Sequence, residues 1–155
     1  MRLRLVAVGT RMPSWVEQGF AEYAGRMPRE CRLELRELPL GKRSKQSDPA
    51  QAVADEGRRL LAAADGCTRV CLDVRGRAVD TAALAQRLAA WLQSGRDVAL
   101  LVGGPDGLAP ECLAGADWRW SLTPLTLPHG LVRVMVAEQL YRAWTVLSGH
   151  PYHRA

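Results

Sequence analysis

Strand-like and helix-like patterns of apolar residues alternate along this 155-residue chain. Short stretches of alternating or continuous apolar residues are typical of strands, and longer stretches with helical spacing follow them. We predict strands at 2–8, 32–38, 69–74, 97–102 and 117–122, helices at 13–27, 49–64, 80–94 and about 128–148, and a short helix within 103–113. Strand–helix alternation predicts an α/β fold with a mainly parallel sheet, and the apolar 97–102 strand indicates helices on both faces.

Length and composition define the broad class. A chain of 155 residues, 48% hydrophobic and 24% charged, is expected to form a single domain, 1–155, with a real core. No apolar run approaches the roughly 20 residues of a membrane span, and the amino terminus has no signal-peptide cleavage pattern. We therefore expect a cytoplasmic protein that does not associate with membranes.

The four cysteines favour a structural role over metal binding. Cys67 and Cys71 have C-x3-C spacing with no matching Cys or His pair, which is poor spacing for zinc. We expect all four, including Cys31 and Cys112, to be buried free thiols, and we expect no bound metal.

The basic charge is concentrated in the first part of the chain. The net charge is +5, and residues 1–60 contain 12 Lys and Arg against 8 Asp and Glu. The polar segment 39–48 is predicted to be a loop, and it carries Lys42, Arg43 and Lys45. Such a balance suits a polyanionic partner such as nucleic acid, although a solvated basic surface fits the charge equally well.

Two stretches follow predicted strands, where α/β sheets bind ligands. Gly103, Gly104 and Gly107 would let a ligand approach the backbone, but their spacing matches no known nucleotide motif, so a ligand-free tight turn is equally compatible. The segment 122–127 is apolar and interrupted by proline. It could clasp a planar heterocycle, or it could be a buried connection under a neighbouring element.

The last helix and the tail contain most of the other notable residues. The helix is apolar nearly all round, as in a core or a subunit interface, and Glu138 and Arg142 have the spacing of an ion pair. The tail "HPYHR" brings together His150, Tyr152 and His153, so two of the three histidines lie there. That clustering indicates part of a site, the alternative being a frayed terminus.

Taken together, "LVAVGT", "GKR", "LDVRG", "GRDVxLLxGGPxGL", "SLxxLTLPHxLVRVxVAEQLYRAW" and "HPYHR" resemble the bacterial large-subunit rRNA pseudouridine N3-methyltransferases. These are small members of the trefoil-knotted SPOUT methyltransferases. The resemblance covers essentially the whole chain, with one difference at Ala155, where an acidic residue can occur. It implies a SPOUT-type α/β fold with a deep trefoil knot in the carboxyl half, and a homodimer in which the last helix packs across the interface.

The resemblance also implies a site. S-adenosylmethionine would lie among three loops, contacted by Leu72, by Gly103 and Gly104, and by Leu122, Thr123, Pro124, Leu125, Thr126 and Leu127. Proteins of this family lack a separate RNA-binding module, which implies that the substrate surface would come from the dimer face, the basic loop and the tail. Lys42, Arg43 and Lys45 would contact phosphates of 23S rRNA, and Tyr152 would stack on the substrate. The tail would act near the transferable methyl, in its own subunit or across the interface.

The implied chemistry requires few side chains. Attack on an activated sulfonium methyl needs mainly positioning, while N3 of a pseudouridine must lose a proton. Arg142 or Arg154 would stabilise the resulting anion, and His153 or His129 would act as base or substrate anchor. The resemblance favours the assembled ribosome as substrate. The alternatives are a non-enzymatic ribosome-binding factor and a knotted methyltransferase acting on another rRNA site or on tRNA.

Overall fold

A computed structural model describes residues 1–154; Ala155, the position that differs from the family pattern, lies outside the described residues. Strands and helices alternate along this part of the chain. In order they are β1 (Arg2–Val8), α1 (Ser14–Ala24), β2 (Arg32–Leu38), α2 (Pro49–Ala63), β3 (Thr68–Arg77), α3 (Thr81–Ser94), β4 (Val98–Val102), α4 (Pro110–Ala114), β5 (Trp118–Trp120) and α5 (His129–Ser148). Short 3₁₀ turns occupy Arg29–Cys31 and Pro151–Arg154.

The five strands form one sheet in the order β2-β1-β4-β3-β5, and every pair is parallel. Leu3 of β1 lies opposite Leu33 on one side and Val98 on the other. The carboxyl ends of the strands therefore meet at one edge of the sheet. The pairing of β3 with β5 shifts register between Leu72 and Arg77, so the segment between them bulges out of the ladder at that edge.

Apolar side chains fill both sides of the sheet. Along β1, Leu3, Leu5 and Ala7 belong to one core cluster and Val6 and Val8 to the other. The first cluster is closed by α1, α3 and α5, and the second by α2 and α4. Strands covered on both faces are expected for a parallel sheet, and the predicted α/β class with helices on both faces is confirmed.

The helices begin where the local sequence favours it. The Asp48 carboxylate accepts from the N–H of Ala50 at 2.9 Å, with Pro49 in the first turn of α2. The Asp80 carboxylate accepts from the N–H of Ala83 at 2.8 Å and so caps α3. Both helices therefore begin with a side-chain cap, which satisfies one of the backbone N–H groups left free at a helix start.

Two predicted bounds differ from the structure by three residues. Helix α1 ends at Ala24 rather than Met27, because the chain turns there and Pro28 cannot continue a helix. Strand β3 runs on to Arg77, because Arg77 pairs with Trp120 beyond the bulge. The sequence pattern of β3 ended earlier, since residues in a bulge do not follow strand periodicity.

The cysteines are buried free thiols, as predicted. Burial raises the pKa of Cys31 to about 11 and that of Cys71 to about 12. Residues 1–154 contain no group of three or more His, Cys, Asp or Glu side chains placed to hold a metal ion. A search of the same residues finds no helix with the length and apolar character needed to cross a membrane.

Candidate active site

A cavity of about 230 Å³ opens at the carboxyl edge of the sheet, between the bulge of β3 and the loops that follow β4 and β5. The start of α5 closes its fourth side. Nine of the predicted site residues line it, namely Leu72, Gly103, Gly104, Leu122, Thr123, Leu125, Thr126, Leu127 and His129. Pro124 is not in the lining. Three segments far apart in sequence therefore meet where the parallel sheet places ligand sites.

The β3 side of the cavity is formed by the bulge. Leu72, Asp73 and Val74 line the cavity as the strand leaves the ladder. The Asp73 carboxylate accepts from the backbone N–H of Arg75 at 3.1 Å, which stabilises the turn. Asp73 thus forms the turn and also places a carboxylate at the cavity wall.

The glycine turn, residues 103–107, is a closed turn as well as a cavity wall. The N–H of Gly107 donates to the carbonyl of Gly104 at 3.0 Å. A Cβ on Gly103 would lie 2.6 Å from the Gly107 carbonyl carbon, and one on Gly104 would lie 3.0 Å from Glu56 Oε1. A side chain at Gly103 would open the turn, and one at Gly104 would press on the Glu56 carboxylate. Glycine therefore maintains the local structure while leaving the backbone accessible from the cavity.

The apolar loop after β5 faces the cavity from the other side. Its conformation is held by local hydrogen bonds: Ser121 Oγ donates to the Thr123 carbonyl at 3.1 Å, and the Leu125 N–H donates to Thr123 Oγ1 at 3.2 Å. Leu125 is 71% exposed. The alternative of a connection buried under a neighbouring element is therefore wrong for this loop. An exposed apolar side chain at the rim of an apolar cavity is typical of a binding site.

Of the three histidines, His129 is the one that lines the cavity. It is the first residue of α5, preceded by Pro128, which fixes the entry of the helix. His153 is half-buried in the tail, where its Nδ1 atom has no hydrogen-bond partner among the described residues. Residues 150–154 do not line the cavity.

The tail packs back on the middle of α5. The Tyr152 hydroxyl donates to Glu138 Oε1 at 3.1 Å, and its ring lies 4.8 Å from that of Tyr141 in an edge-on arrangement. Arg142 bonds the same carboxylate, with Nε 2.8 Å from Glu138 Oε1, and lies 5.0 Å from the Tyr152 ring. The predicted pair of Glu138 and Arg142 is confirmed. Within one chain, Arg142 and Tyr152 contact this cluster rather than the cavity.

The predicted basic loop follows β2 at the same edge of the sheet. Lys42 and Lys45 are exposed, whereas Arg43 is half-buried. Its guanidinium bonds Glu56 on α2 at 2.7 Å and Asp106 of the glycine turn at 3.0 Å. The hydrogen bond that Arg43 donates to the Glu56 carboxylate is the main cause that raises the pKa of Arg43 above its usual value. Arg43 is thus already paired with two carboxylates.

Several site residues were missed by the sequence interpretation. Most are apolar residues of the strands and loops around the cavity, namely Val102, Leu108, Leu113, Trp120 and Val132. Glu56 had a signal, because it occupies an inward position of α2 between Ala52 and Leu60, where an apolar residue is expected. A single charge on an apolar helix face indicates a buried partner.

Comparisons with known proteins agree with this architecture. A family model described as predicted SPOUT methyltransferase matches residues 1–153. The chain is 61% identical to the ribosomal RNA large subunit methyltransferase H of Alkalilimnicola ehrlichii, over all of both chains. It is 59% identical to the protein of the same name from Methylococcus capsulatus, over 99% of this chain and 100% of that one.

Solved structures show the same fold at low sequence identity. A methylase family protein from Haemophilus influenzae matches with a TM-score of 0.59 and 18% identity, covering 97% of this chain and 69% of that one. One from Neisseria gonorrhoeae matches with a TM-score of 0.55 and 17% identity, covering 90% and 81%. The fold is α/β, and the family model and the full-length relatives show that the class of protein is a methyltransferase. The chain belongs to the SPOUT methyltransferase family.

Proposed function

We propose that this protein transfers a methyl group from S-adenosylmethionine to N3 of a pseudouridine in 23S rRNA, with the assembled ribosome as substrate. The proposal is carried by the cavity, in which a glycine turn, an apolar loop and His129 meet at the carboxyl edge of a SPOUT sheet. The full-length relatives named as large-subunit rRNA methyltransferases support the choice of substrate.

The cavity suits the cofactor in its chemistry. Leu72, Leu122 and Leu127 offer apolar surface for the faces of an adenine ring, and the glycine turn leaves backbone groups accessible to its edge. Asp73 adds a carboxylate that can accept hydrogen bonds from hydroxyl groups. Bound S-adenosylmethionine would supply a methyl group that is already activated by its sulfonium charge.

The side chains of this chain have two tasks in the reaction. They hold the pseudouridine N3 in line with the methyl group, and they accept the proton that N3 loses. His129 is the candidate base or anchor within the cavity, because a neutral imidazole there can accept that proton. An arginine near the nucleobase would stabilise the anion that forms on N3 and its flanking carbonyl groups.

We further propose that His153 and the stabilising arginine, which is Arg142 or Arg154, reach the cavity from a second copy of the chain. Residues 150–154 do not line the cavity of their own chain, and Tyr152 is fixed against the middle of α5. Apolar side chains remain exposed on α1 and at the end of α5, where Trp15 is 54% and Leu147 39% exposed. A homodimer that covers α5 would bury such residues and bring a partner tail toward the cavity.

The test is transfer of labelled methyl from S-adenosylmethionine to ribosomes that lack the modification, with free large-subunit rRNA and tRNA in parallel. Mass spectrometry then maps the modified nucleotide. We expect methyl on N3 of one pseudouridine, in ribosomes. Transfer to tRNA or to another rRNA position would contradict the proposed substrate and identify that RNA as the substrate instead. Calorimetry showing no cofactor binding would favour a ribosome-binding factor without enzymatic activity.

A further inference from the structure

The basic loop and the glycine turn are joined by one side chain. Arg43 donates from Nε to Asp106 Oδ2 at 3.0 Å and from Nη1 to Glu56 Oε2 at 2.7 Å. It also donates to the carbonyl of Gly41 within its own loop at 3.1 Å. A planar guanidinium with several fixed donors can hold three groups in one geometry, which an ammonium group cannot do.

Glu56 makes this arrangement rigid. Its side chain is almost fully buried, and besides Arg43 it accepts from the N–H of Gly41 at 2.8 Å. Oε1 of the same carboxylate lies 3.0 Å from the position that a Cβ on Gly104 would take. A buried carboxylate is stable only when hydrogen bonds and a counter-ion compensate its charge. The loop at Gly41 and the turn at Gly104 therefore both pack on the Glu56 carboxylate.

The other two cations of the loop are arranged differently. Lys42 and Lys45 are exposed, and among residues 1–154 neither lies within 4.0 Å of a carboxylate oxygen. They can contact phosphates without giving up an existing bond. Arg43 would have to break two ion pairs to do so.

We propose that Arg43 is a positioning residue that fixes the glycine turn of the cofactor site to the basic loop. Of the three cations in that loop, only Lys42 and Lys45 would contact RNA phosphates. The inference rests on the proposed function, because it assigns the cavity to S-adenosylmethionine and the loop to RNA. It changes the role of Arg43, which the family pattern placed among the phosphate contacts.

This connection has a thermodynamic consequence. Because Arg43 and Glu56 hold the turn and the loop in one arrangement, a ligand that favours this arrangement at one segment favours it at both. Cofactor and RNA therefore each increase the affinity for the other by the same factor. Breaking the contact between Arg43 and Asp106 removes that coupling while leaving both binding surfaces intact. Because Asp106 does not line the cavity, its substitution changes no direct contact to the cofactor.

The experiment compares Arg43→Lys and Asp106→Asn with Lys42→Ala and Lys45→Ala. S-adenosylmethionine affinity is measured by calorimetry, and affinity for purified large-subunit rRNA is measured over a salt series with and without the cofactor. Hydrogen exchange of residues 41–45 and 103–107 is followed in the absence of both ligands. Asp106→Glu, which keeps the carboxylate, tests for rescue.

We expect Arg43→Lys and Asp106→Asn to weaken cofactor binding by about 5- to 10-fold, to speed exchange in both segments, and to abolish the gain in RNA affinity from cofactor. Coupling of this size is common between linked sites. Asp106→Glu should restore all three. Lys42→Ala and Lys45→Ala should leave cofactor affinity unchanged and each reduce the salt slope of RNA binding by about 1.

Two results would overturn the inference. One is an Arg43→Lys variant that behaves like Lys42→Ala, losing RNA affinity alone. The other is an Asp106→Asn variant with wild-type exchange and wild-type cofactor affinity. If the wild-type chain itself fails to bind S-adenosylmethionine, the proposed function fails instead, and hydrogen exchange still decides whether Arg43 holds the two segments together.

Discussion

At the scale of single residues, the turn after β4 depends on a conformation that suits glycine. Gly107 has φ +84°, and the space where its Cβ would be is open. Gly107→Ala therefore introduces backbone strain without a clash, about 1–2 kcal/mol. Gly66 is a matched control, because it has φ +75° and equally open space, yet lies away from the cavity.

We expect Gly107→Ala and Gly66→Ala to lower the free energy of unfolding by similar amounts. Only Gly107→Ala should weaken S-adenosylmethionine binding, because only that turn borders the cavity. Denaturant unfolding and calorimetry measure the two effects. Equal loss of cofactor affinity in both variants would show that the glycine turn does not contact the cofactor.

The buried thiols make stability depend on pH at the alkaline end. Burial raises the pKa of Cys71 from 9.0 to about 12, so its neutral form is favoured by folding. A raised pKa contributes stability that is complete below about pH 9 and is lost as pH rises toward 12. The contribution disappears because the unfolded thiol ionises first.

The difference in melting temperature between the wild-type chain and Cys71→Ala should therefore shrink as pH rises above 9. Thermal unfolding at pH 7, 8, 9 and 10 measures it. Replacing the thiol by a methyl group also leaves a small gap, which is independent of pH. A pH-independent difference across the series would mean that the thiol ionises equally easily in both states.

The sequence predicted the contacts of single residues correctly where the contact partner is a near neighbour in sequence. The pair of Glu138 and Arg142 depends on a neighbour four residues away, and the structure contains it. The ion pairs of Arg43 involve residues 13 and 63 positions distant. Sequence spacing does not encode such contacts, so Arg43 was grouped with its basic neighbours.

At the scale of elements, α5 connects the cavity to the tail. His129 at its start lines the cavity, while Glu138 in its middle accepts from Tyr152 and pairs with Arg142. Apolar periodicity predicted the helix and its extent. It could not predict that the tail packs back on α5, because that contact depends on a 3₁₀ turn after Gly149 and on no repeating pattern.

Glu138→Gln should release the tail, since it removes the charge that holds Arg142 and weakens the bond from Tyr152. We expect faster hydrogen exchange in residues 150–154 and at least a 10-fold loss of methyl transfer, with cofactor affinity unchanged. Asp55→Asn is the control, because it removes an exposed pair with Arg58 on α2. Undiminished transfer despite a released tail would argue against a role of the tail in catalysis.

At the scale of the whole molecule, the sheet order brings loops from distant parts of the sequence to one edge. Strand–helix alternation predicted a parallel sheet and therefore a ligand site at the carboxyl ends, and the cavity is there. The order β2-β1-β4-β3-β5 was not predictable from periodicity, since each strand pattern is compatible with several neighbours.

If the tail acts across a homodimer, activity depends on the assembly. A chain lacking residues 152–155 keeps its cavity, and a His129→Ala chain keeps its tail. Each alone should be inactive, and mixed dimers should regain up to about half of the wild-type transfer, because one composite site is complete. Refolding the two chains together and assaying transfer tests this. Inactive mixed dimers would place the tail in its own subunit.

The pairing of β1 with β4 also determines when the chain can fold during its synthesis. Leu3 lies next to Val98, so the amino-terminal strand stays without one of its two neighbours until the fourth strand has left the ribosomal exit tunnel. Contacts so distant in sequence close slowly, and the apolar faces of β1 and β2 remain available to chaperones meanwhile. A protein proposed to modify ribosomes would thus complete its own sheet only late in translation.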